Sequence, residues 1–190
     1  DHKQVVEEKE EAKSRERDAI DTAGIIGKSQ RMLDLLEMVS FVAPTEATVL
    51  ITGDSGTGKE LIASALHHNS ARKNGPFVKV NCAALVENLL ESELFGHEKG
   101  AFTDAVEERS GLLELASGGT LFLDAIEEAP AFLQAMLLRV LQAGRYRRVA
   151  GEVDREVDVR IIATMGTKTP GDQIRDDLIY RLSGFRIHLP

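Results

Sequence analysis

Short apolar runs alternate with longer amphipathic segments along most of the chain. The runs are rich in β-branched residues and lie at residues 48–52, 77–81, 120–124, 159–164 and 185–189. Continuous apolar character is typical of buried parallel strands, because helices cover both faces of a parallel sheet. Segments with helical character lie at residues 29–43, 59–70, 84–90, 130–142 and 173–182. The alternation predicts an α/β fold on a five-stranded parallel sheet, with ligands bound at the carboxyl ends of its strands.

Two further segments lie outside this alternation. Residues 146–149 and 153–157 flank a turn at Gly151 and predict a β-hairpin. The segment 1–22 is dense in charge and contains no glycine or proline, so it predicts a solvated helix, with a weak coiled coil as the alternative. We therefore interpret it as a charged linker helix, and residues 23–190 as one α/β domain.

Composition narrows the class of protein. The chain has 190 residues, 43% hydrophobic and 28% charged, which suits one globular domain with a substantial core. The net charge of −8 argues against a broad basic surface for nucleic acid. The single cysteine, Cys82, excludes an internal disulfide and fits a reducing cytoplasm. No apolar run approaches the ~20 residues of a membrane span, so we expect a cytoplasmic protein that does not contact membranes.

The strongest chemical signal directly follows the first predicted strand. The pattern G-x-x-x-x-G-K stands there, between a strand and a helix, as a phosphate loop requires. Its residues are Gly53, Asp54, Ser55, Gly56, Thr57, Gly58 and Lys59. The glycines let backbone N–H groups turn inward around a polyphosphate, and the lysine and the helix N-terminus add positive charge. The motif predicts a site for a nucleotide polyphosphate.

A second motif places an acid at the end of the strand at residues 120–124. Asp124 is expected beside the phosphate loop, where it would hold Mg²⁺ directly or through water. Hydrolysis needs a further carboxylate there to polarise the attacking water, but the next residue is Ala125. Glu127 and Glu128 follow on the next loop, outside the strand end. The alternative that one of these two glutamates takes the role of the missing carboxylate stays open.

These motifs, with several others, resemble a known family. The chain from residue 25 to its end is similar to the AAA+ domain of bacterial enhancer-binding proteins, the NtrC-like activators of sigma-54 RNA polymerase. Beside the phosphate loop, the resemblance rests on Glu60, on Asn81-Cys82, and on residues 91–103, 118–124, 137–142 and 157–160. It implies the three-layer sandwich of an AAA+ P-loop NTPase with a five-stranded parallel sheet.

The resemblance also implies which residues contact the nucleotide. ATP and Mg²⁺ would be bound by the phosphate loop and Asp124. Ile26, Gly27 and Glu60 would also contact the nucleotide. Many phosphate loops have Ser or Thr where this chain has Glu60, and the family commonly has Glu there. Asn81 matches a switch residue that hydrogen-bonds the glutamate after the strand-end acid.

Two arginines match residues that act across a subunit boundary. Arg175 and Arg181 would reach the γ-phosphate held by a neighbouring subunit and stabilise the charge that develops during hydrolysis. The resemblance thus implies a ring, as a hexamer or heptamer. A surface salt bridge with Asp176 or Asp177 is the simpler interpretation of the arginines.

The resemblance further assigns a loop that contacts sigma-54. Its tip would be formed by Gly100, Ala101, Phe102 and Thr103. One exposed aromatic ring on such a tip is a plausible partner contact. Without the resemblance, a buried core position would be the preferred interpretation of Phe102.

Four features depart from the family pattern. Ala125 stands in place of the catalytic glutamate, and Asp104 in place of the second glycine of the projecting loop. Gly166 stands where a sensor asparagine is expected. The chain ends at Pro190, before the helical lid and the helix-turn-helix domain, so we expect a fragment of a longer regulator that contacts DNA only through that absent domain.

Two classes of function therefore remain open. In the first, ATP hydrolysis in a ring drives remodelling of the sigma-54 RNA polymerase closed complex, with Ala125 impairing the hydrolysis. In the second, the domain is a nucleotide-dependent switch or assembly module that does not hydrolyse ATP. A phosphotransferring kinase is excluded, because neither an acceptor-site lid nor a substrate base is evident.

Overall fold

The computed structural model describes residue 25 and the ranges 29–84, 87–167 and 173–190. The predicted linker helix at residues 1–22 lies outside the described residues, as do Ile26 and Gly27. No helix in the described part of the chain is long and apolar enough to cross a membrane.

The strands and helices alternate as the hydrophobic pattern predicts. The strands are β1 (Val49–Thr52), β2 (Phe77–Asn81), β3 (Gly96–His97), β4 (Arg109–Ser110), β5 (Thr120–Asp124), β6 (Arg145–Tyr146), β7 (Arg155–Glu156), β8 (Arg160–Met165) and β9 (Phe185–His188). The helices are α1 (Gln30–Val42), α2 (Lys59–His68), α3 (Glu87–Phe95), α4 (Leu112–Leu115), α5 (Ala131–Ala143) and α6 (Asp176–Leu182), and a 3₁₀ turn spans Ile126–Glu128.

The central sheet has five parallel strands in the order β2-β5-β8-β1-β9. The predicted five-stranded parallel sheet is therefore confirmed, and β6 and β7 pair as the predicted hairpin. In the register of the sheet, Asn81 lies opposite Asp124, and Thr52 lies opposite Met165. The carboxyl ends of β2, β5, β8 and β1 thus meet at one edge, where α/β folds bind their ligands.

Each central strand sends alternate residues to opposite faces of the sheet. In β5, Leu121 and Leu123 join one buried cluster, and Phe122 joins the other. The first cluster is completed by residues of α3, α5 and α6, and the second by residues of α1 and α2. Because both faces are covered by helices, every residue of these strands can be apolar, and the result is the expected three-layer sandwich.

Several predicted boundaries were wrong. The helix expected at 84–90 extends to Phe95, because Leu90, Leu94 and Phe95 are fully buried and continue its apolar face. The last helix begins at Asp176 instead of residue 173. The short helix α4 and the 3₁₀ turn were not predicted, since neither is long enough to show a periodic pattern.

A buried arginine joins the sheet to the end of α1. Arg160 is 2% exposed, and its guanidinium donates hydrogen bonds to the carbonyl oxygens of Val42, Ala43 and Ala47 at 2.8 to 3.1 Å. The last carbonyls of a helix have no partner within the helix, so this side chain satisfies them where a positive charge is also favoured by the helix dipole.

Candidate nucleotide-binding site

The phosphate loop has the conformation that its glycines allow. Gly56 and Gly58 have φ angles of 80° and 87°, in the left-handed region that disfavours other residues. A Cβ atom at Gly56 would meet nothing within 4 Å, so the backbone there faces open space. The loop leads directly into α2, whose N-terminus is Lys59.

The lysine of the loop is held by backbone carbonyls. Lys59 Nζ donates to the carbonyl oxygens of Gly53 and Asp54 at 2.9 and 2.7 Å. The same Asp54 carbonyl accepts a hydrogen bond from the Thr57 hydroxyl at 2.8 Å. The ammonium group is therefore positioned over the loop, where a phosphate group could compete for it. The carboxylate of the neighbouring Glu60 pairs with Lys79 of β2.

A cavity of about 440 Å³ lies between this loop and the strand ends. It is lined by Ser55, Gly56, Gly58, Lys59, Glu60, Asp124, Ala125, Glu127, Thr164 and Gly166. The structure thus brings the two motifs of the sequence together in one cavity, as their positions on parallel strands predict.

The strand-end acid is fixed by a hydroxyl that the sequence analysis did not single out. The Thr164 hydroxyl donates to Asp124 Oδ1 and accepts a hydrogen bond from the Ala125 N–H at 3.0 Å. The other carboxylate oxygen, Oδ2, accepts no hydrogen bond from the described residues. A carboxylate at this place fits a hard cation such as Mg²⁺, which prefers oxygen ligands.

Ala125 turns the chain back toward the cavity. Its φ of 54° and ψ of 57° are unusual for a residue with a Cβ, and the 3₁₀ turn begins directly after it. Glu127 is thereby returned to the strand edge, where its Oε1 accepts a hydrogen bond from the Gly166 N–H at 2.7 Å. Both glutamates therefore follow the strand end, as predicted, but the side chain of Glu127 reaches the cavity, while Glu128 is exposed.

The end of β2 lies beside these carboxylates. The Asn81 side chain accepts a hydrogen bond from the Ala83 N–H at 2.9 Å. The next residue, Cys82, is buried, and burial, reinforced by the charges of Asp124 and Glu127, raises the pKa of its thiol to about 12. The thiol is accordingly neutral near pH 7, and it is a small apolar neighbour of the site.

The two predicted trans-acting arginines do not line the cavity of their own chain. Arg175 precedes α6, is about half exposed and pairs with Asp177 at 2.9 Å, as the simpler interpretation anticipated. Arg181 is exposed at the end of the same helix. Both guanidinium groups are thus on the surface, where a second subunit could be contacted.

A buried glutamine connects the segment before α6 to the turn after β5. Gln134 is 2% exposed, and its Nε2 donates to the carbonyl oxygens of Ala129 and Gln173, both at 2.8 Å. Its Oε1 accepts a hydrogen bond from the Arg175 N–H at 2.8 Å. No sequence pattern indicated this role, because Gln134 lies within a helix whose neighbouring residues are mostly apolar.

The predicted partner loop leaves the body of the domain between β3 and β4, which pair with each other at its base. At its tip, the Gly100 N–H donates to the Ala105 carbonyl at 2.8 Å. Phe102 is 45% exposed, so its predicted exposure is confirmed. Its ring nevertheless contacts the buried His97 ring edge-on, with centroids 4.9 Å apart, a local contact that the sequence analysis did not anticipate.

The base of this loop is anchored by a buried arginine. The Arg148 side chain is 7% exposed and forms ion pairs with Glu114 at 2.8 Å, Glu108 at 3.4 Å and Glu98 at 3.8 Å. The hydrogen bond from Arg148 lowers the pKa of the Glu114 carboxyl from its ordinary 4.5 to about 2. The anchor is therefore intact at neutral pH.

Acid is expected to weaken this anchor. Because the pKa of Glu114 is lower in the folded state, its stabilisation is fully present above about pH 4.5 and is lost as the pH falls toward about 2. Urea unfolding of Glu114→Gln should give a lower free energy of unfolding than the parent at neutral pH, and the difference should shrink in acid. Glu107→Gln is the control, since Glu107 forms no ion pair with the described residues. A constant difference across this range would contradict the assignment.

Comparison with known proteins places these features in a family context. The family model for the Sigma-54 interaction domain matches residues 25–188. The Nif-specific regulatory protein of Enterobacter agglomerans is 54% identical over 170 residues, covering 87% of this chain and 33% of that protein. The regulatory protein AtoC of Escherichia coli (strain K12) is 52% identical over 170 residues, covering 87% of this chain and 37% of that protein. The chain thus spans about a third of the length of these relatives.

Solved structures are similar over the same domain. NtrX from Brucella abortus in complex with ATP superposes with a TM-score of 0.80 at 36% identity, covering 100% of this chain and 41% of that one. The P-loop NTPase domain of the sigma-54 transport activator from E. coli gives a TM-score of 0.51 at 22% identity, covering 79% of this chain and 95% of that one, and supports the fold alone. The fold is that of an AAA+ P-loop NTPase domain.

Proposed function

The chain belongs to the Sigma-54 interaction domain family, and on this premise we propose that it binds ATP and Mg²⁺ and, as a ring-forming ATPase, remodels the closed complex of sigma-54 RNA polymerase. The observation that carries the proposal is the cavity that joins the phosphate loop to Asp124. In this assignment residues 1–22 link the domain to a preceding segment, and residues 23–190 form the α/β part of the ATPase.

Within the cavity, each group has a separate task. The backbone N–H groups of the phosphate loop and the Lys59 ammonium bind the phosphates. Asp124 would hold Mg²⁺ directly or through water, and the cation would supply positive charge for the β- and γ-phosphates. The Thr164 hydroxyl keeps the carboxylate of Asp124 in place through its hydrogen bond to Oδ1.

Assembly supplies groups that one chain lacks. The exposed Arg175 and Arg181 reach a neighbouring subunit's γ-phosphate and stabilise charge in the transition state. In doing so Arg175 exchanges its ion pair with Asp177 for a phosphate. ATP between subunits therefore strengthens a ring of six or seven copies, and hydrolysis weakens it.

Hydrolysis by this chain is slower than it would be with a glutamate at position 125, because Ala125 cannot accept a proton from the attacking water. This substitution is also the observation that favours the alternative, a switch that binds ATP without hydrolysing it. The two functions are separated by measuring sigma-54 binding in the presence of ATP, ADP and ADP with aluminium fluoride, together with phosphate release. Equal sigma-54 binding in all nucleotide states would contradict both.

The exposed ring of the partner loop provides a specific test of the sigma-54 contact. Phe102→Ala should abolish sigma-54 binding but lower the free energy of unfolding by only about 1 kcal/mol, the value of an edge-on aromatic pair. Phe95→Ala is the control, because the loss of this fully buried ring should lower the free energy of unfolding by about 3–5 kcal/mol. Thermal melting and a sigma-54 pull-down give the two readouts. A large loss of stability in Phe102→Ala would show that the ring is a core residue.

A further inference from the structure

The turn after β5 carries a carboxylate that the family pattern does not require. Glu127 lines the nucleotide cavity together with Lys59 and Asp124. It is partly buried, whereas its neighbour Glu128 is exposed. Glu127 thus lies one short turn beyond the position at which the resemblance expects the catalytic glutamate and Ala125 is found.

The two oxygens of this carboxylate are in different situations. Oε1 accepts a hydrogen bond from the Gly166 N–H at 2.7 Å, which fixes the side chain across the ends of β5 and β8. Oε2 is shielded from solvent and has no hydrogen-bond partner among the described residues. A shielded carboxylate oxygen without a donor is unfavourable, and it is stabilised when a water or ligand hydroxyl reaches it.

Two departures from the family pattern, Ala125 and Gly166, lie next to Glu127. Side chains are absent or minimal at Ala125 and Gly166, the two positions where the resemblance expects a glutamate and an asparagine. The left-handed backbone of Ala125 starts the turn that returns Glu127 to the cavity, and the backbone of Gly166 supplies the hydrogen bond that holds it. The same two departures that remove the expected polar groups therefore accompany the placement of another carboxylate.

We propose that Glu127 is the residue that holds and polarises the attacking water in this site, in place of a glutamate at position 125. The inference rests on the proposed ATP hydrolysis and specifies its general base. The terminal torsion of a glutamate is soft, so Oε2 can turn toward a water beside the γ-phosphate while the Gly166 N–H retains the side chain.

The chemical step is an in-line displacement. One proton of the water passes to Glu127 Oε2 as the water oxygen forms a bond to the γ-phosphorus. The bond between the γ-phosphorus and the bridging oxygen breaks, and its electron pair leaves with ADP. Glu127 then returns the proton to the released phosphate or to solvent. The products are ADP and inorganic phosphate, and the enzyme is restored to its initial state.

The test compares Glu127→Gln with Glu128→Gln in the same chain. Glutamine keeps the size of the side chain and an oxygen for the Gly166 N–H, but it cannot accept a proton. We expect Glu127→Gln to lower phosphate release at saturating ATP by about 100-fold or more, with unchanged ATP affinity and melting temperature. Glu128→Gln should match the parent. Binding of ADP with aluminium fluoride should weaken in Glu127→Gln alone, while ADP binding stays constant.

The outcomes separate this inference from the proposed function. If the parent does not bind ATP, the proposed function fails first. If the parent binds ATP but releases no phosphate, or if Glu127→Gln turns over like the parent, the role of Glu127 is overturned while nucleotide binding stands. If Glu127→Gln lowers the melting temperature, the double variant Ala125→Glu/Glu127→Gln is measured as well. Phosphate release that is restored in the double variant supports the loss of a base in Glu127→Gln. Phosphate release that is not restored overturns the inference.

Discussion

Replacing Lys59 by alanine is expected to weaken ATP binding about 10- to 100-fold, since a charge-assisted hydrogen bond contributes about 1.5–3 kcal/mol. The ammonium is already placed by the carbonyl oxygens of Gly53 and Asp54, so little ordering is needed when a phosphate arrives. In the parent we expect a dissociation constant in the micromolar range. Titration with a fluorescent ATP analogue in the presence of Mg²⁺ measures the dissociation constants of the parent and of Lys59→Ala.

A matched control separates the role of the loop from a general effect of charge. Lys73→Ala removes an exposed lysine that lies beyond α2 and does not line the cavity, so it should bind ATP like the parent. Both variants should have the same melting temperature as the parent, because neither side chain belongs to the two buried clusters. An ATP affinity that is unchanged in Lys59→Ala would refute the phosphate-loop assignment.

Restoring a glutamate after the strand-end acid is expected to produce the other large effect. Ala125→Glu should raise phosphate release at saturating ATP by about 100-fold, the lower end of the range for a positioned base. The lower end is expected because Glu127 already supplies a carboxylate, although its Oε1 is engaged by the Gly166 N–H. The left-handed backbone at position 125 already carries a residue with a Cβ, so the change adds little strain there.

The control for this variant is Ala125→Gln, which has the same size but no basic oxygen and should turn over at the parental rate. Phosphate release and ATP affinity are measured on the same preparations. An unchanged rate in Ala125→Glu, with ATP still bound, would show that a different deficiency limits hydrolysis. Gly166, which stands at the place of the sensor asparagine, would then be the first position to examine.

The layered fold could be predicted because each layer has its own sequence signal. Strands buried on both faces are continuous apolar runs, and β2 and β5 begin and end at the predicted residues. The phosphate loop and Asp124 were predicted to meet, since parallel strands present their carboxyl ends at one edge. The hairpin at Gly151 followed from a glycine turn between two short runs.

The parts that were missed depend on tertiary contacts. The path of the chain after β5 is set by the left-handed conformation of Ala125. An alanine in the sequence does not predict such a backbone. The hydrogen bonds of Thr164 with Asp124 and of Gly166 with Glu127 join β5 and the turn after it to residues some forty positions later. The contact between Phe102 and His97 likewise forms only when the loop has folded back on its base.

The buried amide of Gln134 links the nucleotide cavity to the surface that carries Arg175. It joins the backbone just after Glu127 to the backbone that enters α6 at Arg175. Neither segment can move alone without breaking internal hydrogen bonds worth about 1 kcal/mol each. A displacement of the turn after β5 would therefore be passed through Gln134 to the start of α6 at Arg175. In the proposed ring, this internal connection would couple the nucleotide cavity of one subunit to the arginine that the same subunit offers to its neighbour.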